Sequence, residues 1–230
     1  PDEFQWASKL ARKILIENNA DSDEIKEFDK AIDKQPIQNS YVWSFTENND
    51  SETLYAAYGN KEGVALELNL PSVMKVLATH NTHGKESLED LSDEDAYTFP
   101  LRVEYDAQVQ IDYVKPVVLE WLNALRAYQE DKSDMEHIMI HCSKNIALFN
   151  MAFKNPLLNH EEELRFVVLS RSAGPELLVD GIPFVQCDIS SKFIKSVQLQ
   201  NDCKYSSEYV TRFMHSDGYS IPVVNSKLPY

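Results

Sequence analysis

The sequence predicts an α+β fold: a single domain over residues 1–230, with a central mixed or antiparallel sheet and a two-helix insertion at about 109–153. Three observations carry this. Apolar residues recur at helical spacing in several stretches, two of them long, at 109–130 and 134–153. Other stretches, YVWSFT, GVALELNL and ELRFVVLS, alternate or run apolar over strand lengths. No internal repeat and no linker composition divides the chain, and 230 residues suit one large domain.

Each element has its own warrant. Phe4, Ala7, Leu10, Ala11, Ile14 and Leu15 mark a helix over 2–18, stopped by Asn18 and Asn19. A second short helix carries Ile25, Phe28 and Ile32 on one side. In YVWSFT, Tyr41, Trp43 and Phe45 face one way, and Val42, Ser44 and Thr46 the other. Asp50 reads as the N-cap and Gly59 as the stop of a short helix, SETLYAAY. A strand at 63–70 follows, then a helix at 71–80 opened by Pro71. Residues 84–96 read as an acidic loop, solvated filler or a partner-binding segment, and PLRVEYD as a strand at 100–106. Ser133 and Glu136 have capping-box spacing for the second long helix. After ELRFVVLS, Asp180-Gly181 has hairpin chemistry. Strands at 193–199 and 219–226 flank a helix near 206–214.

Composition narrows the function classes. The hydrophobic fraction, 43%, supplies a sizeable core. The net charge of −15 argues against non-specific nucleic-acid binding, though a local pocket for a nucleotide stays open. No apolar run approaches the roughly 18 residues that a membrane span needs, so no membrane partner is expected. The polar, acidic start does not resemble a signal peptide. Cys142, Cys187 and Cys203 have no motif spacing and read as reduced thiols, so the expected location is cytoplasmic. In that compartment the Asn49-x-Ser51 match carries no meaning as a glycosylation site.

The chemistry-bearing stretch is HEEELRFVVLS. If 161–169 is extended, Glu161, Glu163 and Arg165 share one face, with Glu163 and Arg165 about 7 Å apart along the strand. The functional reading is a carboxylate that meets a ligand hydroxyl, oriented by the arginine. The plain reading is a surface strand end with a solvated ion pair worth under ~1 kcal/mol. Ser44 and Thr46 read either as hydroxyls on a pocket floor or as parts of an ordinary edge strand. His137 and His141 have metal-sharing spacing, but no third ligand stands beside them, so no metal is expected. Phosphate-loop, dinucleotide-fingerprint, nucleophile-elbow and Cys-x-x-Cys motifs are absent, and six glycines supply phosphate loops poorly. Met135, Met139, Phe149 and Phe153 read as core.

The order of these pieces resembles bacterial domain-of-unknown-function family 2971. The residues that carry it are Ser44, Phe45, Thr46, Asp50, Ser51, Tyr58, Gly59, Gly63 and Val64, then Phe153, Lys154, Glu161, Glu163 and Arg165, then Ser226, Lys227, Pro229 and Tyr230. Leu54-Tyr55 stands where that family's helix usually has tryptophan. PDEFQW resembles a turn that in the family follows an opening strand, which implies that this chain lacks those opening elements.

That layout is in turn similar to the ADP-ribosyltransferase fold. The similarity implies NAD as substrate and cleavage of its nicotinamide–ribose bond through an oxocarbenium-like state. Glu163 would grip the ribose 2′-hydroxyl, Glu161 would assist the acceptor, and Arg165 would orient the glutamates or meet a phosphate. Ser44, Thr46, Tyr55 and Tyr58 would hold the cofactor. The setting implied is phage defence or a toxin-like effector. Two alternatives stand beside it: a non-catalytic ligand-sensing or protein-interaction domain, and a metal-dependent nuclease using Asp50, Glu67, Glu161 and Glu163.

Overall fold

The computed structural model describes residues 3–33, 40–85, 90, 92, 95–128, 135–170, 177–187 and 190–228. In chain order the elements are α1 (Trp6–Glu17), α2 (Ser22–Asp33), β1 (Ser40–Thr46), the short turn α3 (Glu52–Leu54), β2 (Val64–Leu68), α4 (Leu70–Asn81) and β3 (Ala96–Arg102). Then come α5 (Ala107–Ala127), α6 (Met135–Ala152), β4 (Glu163–Ser170), β5 (Leu177–Val179), β6 (Ile182–Phe184), β7 (Ile194–Leu199), α7 (Ser207–Ser216) and β8 (Val223–Asn225). The mixture is α+β, as predicted. The chain forms two compact units, one of residues 1–40 and 101–159, the other of 41–100 and 160–230.

The first unit is helical. The two long helices read as an insertion pack with α1 and α2 around one core. Ala7, Ala11, Ile14 and Leu15 form the buried stripe of α1, facing Val114, Val118, Trp121 and Leu122 of α5 and Ile146 of α6. Phe28 meets Trp121 edge to face, ring centres 5.1 Å apart. Asp21 caps α2, accepting from the Asp23 and Glu24 amides, while Glu24 reaches back to the Asp21 amide at 2.9 Å. Arg126 then grips the Glu24 carboxylate with Nε and Nη2, at 2.6 and 2.9 Å. Gln110, fully buried, accepts from Trp6 Nε1 at 2.8 Å and donates to the Glu104 and Lys154 carbonyls. That amide fixes the segment after α6 against the segment before α5. Asp106 caps α5, and Ser133 lies outside the described residues.

The second unit holds the sheets. Among the described residues the strands form not one central sheet but two three-stranded ones, ordered β1-β4-β3 and β2-β7-β8, plus the β5-β6 hairpin. β2 pairs antiparallel with β7, with a bulge at Glu67/Leu68, and β8 pairs parallel with β7. Phe166 of β4 packs with Val73 and Leu77 of α4, and Phe45, Leu68, Leu164 and Phe193 close around them. Asn69 starts α4: its side chain accepts from the Ser72 amide, and its own amide donates to the Phe193 carbonyl at 2.7 Å. The hairpin turns at Asp180 and Gly181, both at positive φ, as the Asp-Gly pair predicts.

Three local expectations change. The strand expected at 100–106 lies earlier, at Ala96–Arg102. Pro100 falls in β3, an edge strand of the β1-β4-β3 sheet among the described residues, where a strand proline is tolerated. The SETLYAAY helix is capped by Ser51, not Asp50, and widens into a π-turn over Tyr55–Gly59. Asn60, in left-handed conformation, ends it. In the acidic loop, most of which lies outside the described residues, Asp95 is buried, so the solvated-loop reading fails at that residue.

Asp95 accepts from His83 Nδ1 at 2.9 Å, Lys85 Nζ at 2.7 Å, and the Ser92 amide and hydroxyl at 2.6 and 2.8 Å. The hydrogen bond from Lys85, then those from His83 and Ser92, hold its pKa far below 3.8. A depressed carboxylate contributes stability above its unfolded pKa and loses it as pH falls through the folded one. Asp95→Asn is therefore expected to lower stability at neutral pH and to flatten its decline below about pH 4. Denaturant titrations of both proteins across that range check it, and parallel curves would refute it.

Candidate functional site

β4 opens on the charged run. Arg165 is 0% exposed and Glu163 6%, so the pair lies inside the protein, not on a solvated strand end. Arg165 donates from Nε to Glu163 Oε1 at 2.9 Å and from Nη2 to Oε2 at 3.0 Å. A buried charge demands such a partner, and a guanidinium matches a carboxylate fork to fork. The plain reading, a solvated pair, is thus corrected. The extended register of Glu161 is corrected too. Residues Pro156–Glu161 form a 3-10 helix, and Glu162 has φ 43°, so the strand begins only at Glu163. Glu161 does not continue the face of Glu163 and Arg165.

The β1 end and the glutamate run meet through backbone. Thr46 Oγ1 donates to the Glu161 carbonyl at 2.8 Å, and the Glu47 amide to the Glu162 carbonyl at 2.9 Å. Thr46 Oγ1 also accepts from the Asn48 amide, and Asn48 Oδ1 from the Asp50 amide, which sets the turn after β1. Asp50 then accepts from Ser226 Oγ at 2.6 Å and the Lys227 amide at 2.8 Å. Asp50 and Ser226 thus form a latch across 176 residues of sequence. Pro229 and Tyr230 lie outside the described residues.

Beside this turn is a cavity of about 530 Å³ in the second unit. Phe45, Leu66, Leu68, Leu70, Val73, Ala65 and Leu164 supply its apolar lining. Thr46, Glu47, Asn48, Asn49, Glu67 and Gln198 supply its polar groups. Glu67 accepts from Ser196 Oγ at 2.8 Å and lies 3.5 Å from Lys195 Nζ. Of the predicted cofactor residues, Thr46 lines the cavity. Ser44 is exposed on β1 and outside the lining, and Tyr58 is 78% exposed. Tyr55 is buried, and burial foremost, with the Asp50 charge second, pushes its pKa up to about 12.

The carboxylates of the nuclease reading do not converge. Asp50 holds Ser226, Glu67 holds Ser196, and Glu163 holds Arg165. Among the described residues no group of three His, Cys, Asp or Glu is placed to hold a metal ion. No disulfide joins the three cysteines, and burial raises the Cys142 pKa to about 12. Among the described residues no helix is long and apolar enough to cross a membrane. Sequence reasoning missed Glu47, Asn48, Gln198 and Leu164 as lining, because each sits in ordinary strand or turn composition. The latch left one trace, the pairing of an Asp-Ser turn with a terminal Ser-Lys.

A family model described as "Protein of unknown function (DUF2971)" matches residues 54–166. That stretch holds Tyr58, Gly59, Gly63, Val64, Phe153, Lys154 and the Glu161–Arg165 run, and it supports the family resemblance read from those residues. No curated protein and no solved structure matches the chain.

Removing one member of a buried ion pair strands the other. Glu163→Gln is expected to cost about 3 kcal/mol of stability, and Glu163→Gln with Arg165→Met less than Glu163→Gln alone. Denaturant unfolding of the single and double variants measures this. A neutral Glu163→Gln would mean that the pair is not what neutralises Arg165.

Proposed function

We propose that the second unit is a ligand-binding module that takes a small organic molecule into the cavity beside Thr46. The cavity is the observation that carries this reading. Its volume falls within the roughly 300–1,000 Å³ of small-molecule sites. An apolar floor with a few polar groups at one side is the usual composition of such a site. Glu163, by contrast, is buried and gripped by Arg165, which suits a scaffold better than a group that must meet substrate. The role that follows is ligand sensing.

The second reading is an NAD-consuming enzyme of the ADP-ribosyltransferase type. One observation favours it: Thr46 is bonded to the glutamate run through the Glu161 carbonyl, which puts two segments that such a site needs side by side. In that reading Glu161 and Glu163 act on the ribose and acceptor, Arg165 orients them, and Ser44, Thr46, Tyr55 and Tyr58 hold the nucleotide.

A fragment screen by ligand-observed NMR is expected to yield binders that Ala65→Leu, which fills the cavity from β2, abolishes with little change in thermal stability. In parallel, incubation with NAD is expected to release no nicotinamide. Release that is lost in Glu161→Gln, a variant outside the buried pair, would replace sensing with the enzymatic reading.

A further inference from the structure

The β5-β6 hairpin is apolar and unburied. Every residue from Leu177 to Phe184 is exposed, and its large apolar side chains run from 43% exposed at Phe184 to 65% at Leu178. Asp180, at the turn, is the one charged residue between them. Among the described residues no third strand joins the pair. A lone two-stranded hairpin is marginal in water, and needs further strands or a packed face to be stable. An apolar patch that stays exposed marks an interaction surface.

The register gives the two outer edges different chemistry. Val179 and Ile182 close the two-residue turn, so they exchange both backbone hydrogen bonds. Pairs alternate along an antiparallel ladder, so the backbone groups of the next pair, Leu178 and Pro183, point outward. Proline fits there because the hairpin needs no N–H from that position. The outer edge of β6 is thereby left without a donor at its centre, whereas the outer edge of β5 presents both the N–H and the C=O of Leu178.

Such an edge is complementary to its own copy. When two β5 strands lie antiparallel across a two-fold axis, Leu178 exchanges both bonds with the partner's Leu178, and Leu177 falls opposite the partner's Val179. Leu177, Val179, Ile182 and Phe184 share one face of the hairpin, so the joined sheet merges two such faces into one apolar surface. The edges left outside are then the two β6 edges, which Pro183 blunts. Pairing therefore closes at two copies instead of running on into a fibre.

We infer that β5 is the docking edge for a second copy of this chain, in a closed antiparallel dimer with strand order β6-β5-β5-β6. The hairpin has fewer residues than the roughly 20–30 that each side of a standard interface contributes, so the dimer is weak and depends on concentration. It is independent of the ligand-binding reading.

Sedimentation velocity of the whole chain, from micromolar to near-millimolar concentration, is expected to show a monomer–dimer equilibrium. Each copy carries a net −15, so high salt is expected to tighten the dimer, where an ion-paired interface would loosen. Leu178→Pro repeats on β5 what Pro183 does on β6: the hairpin keeps its internal bonds and the outer edge loses its donor. Both bonds between the copies are lost, which is expected to raise the dimer dissociation constant about tenfold or more with the circular dichroism unchanged. Val179→Lys, at an exposed position of the same strand, carries the same expectation without proline's constraint on the backbone. Amide hydrogen exchange locates the contact. The Leu178 amide is expected to slow as concentration rises, and the Val179 amide, bonded within the hairpin, to stay constant. A chain that remains monomeric throughout overturns the inference, and so does a dimer that loosens in salt, survives both variants or leaves Leu178 exchange unchanged.

Discussion

Arg165 is a full positive charge with no exposure to water, in the middle strand of the β1-β4-β3 sheet. Burying an unpaired guanidinium costs several kcal/mol even after relaxation, and Glu163 supplies a two-pronged carboxylate partner for it. The two residues are i and i+2 on one strand, which puts both side chains on the same face. That spacing is why the strand must be regular from Glu163 onward. It also explains why the irregularity, the positive φ of Glu162, falls immediately before it. Phe166, Val167 and Val168 follow into the core. The charge at the mouth of an apolar strand is therefore part of the interior, and the rest of the sheet is arranged around it.

The same constraint recurs wherever this acidic chain buries or half-buries a carboxylate. With 37 acidic and 22 basic residues, cations are fewer than anions, and the fold adds neutral donors to some of its buried and half-buried carboxylates. Asp50 is held by a hydroxyl and a backbone amide, with no cation in the pair of bonds. Asp95 takes an amide and a hydroxyl from Ser92 in addition to Lys85 and His83. Each of these arrangements joins segments far apart in sequence or closes a loop. Satisfying the anions is thus one of the ways in which the second unit acquires its shape.

Element type was legible where a single physical signal dominated. ELRFVVLS reads as a strand and is one from Glu163 to Ser170, because β-branched and aromatic residues leave no competing pattern. Asp180-Gly181 reads as a hairpin turn because only residues tolerant of positive φ fit it. The misplaced β3 shows the limit: Pro100 looks like a boundary unless one knows the strand lies at an edge, which is a tertiary fact. The same holds for the helical unit. Helical spacing identified α5 and α6, but not that α1 and α2 complete their core. Of the site, the sequence showed the charged run and Thr46. It did not show burial, so it did not show that Glu163 and Arg165 pair inside the protein. Gln198 and Leu164 enter the cavity through strand register, which a single sequence does not encode locally.

The residues that make the chain resemble a family do structural work here, and that work places the cavity. Gly63 approaches Gly59 so closely that a Cβ on Gly63 would lie 2.3 Å from the Gly59 Cα, which no side chain tolerates. That contact fixes the turn leading into β2. The Asp50–Ser226 latch and the Thr46–Glu161 bond fix the two ends of the turn after β1. Between these anchors lie Glu47, Asn48 and Asn49 on one side of the cavity and Ala65 to Leu68 on another. The rim is therefore held at both ends. Under the proposed ligand-binding reading, a turn tethered in this way would need little reordering when a small molecule binds. The strongest motif in the sequence thus locates the site by what it holds still, and the groups that would read a ligand stand one or two residues away from it.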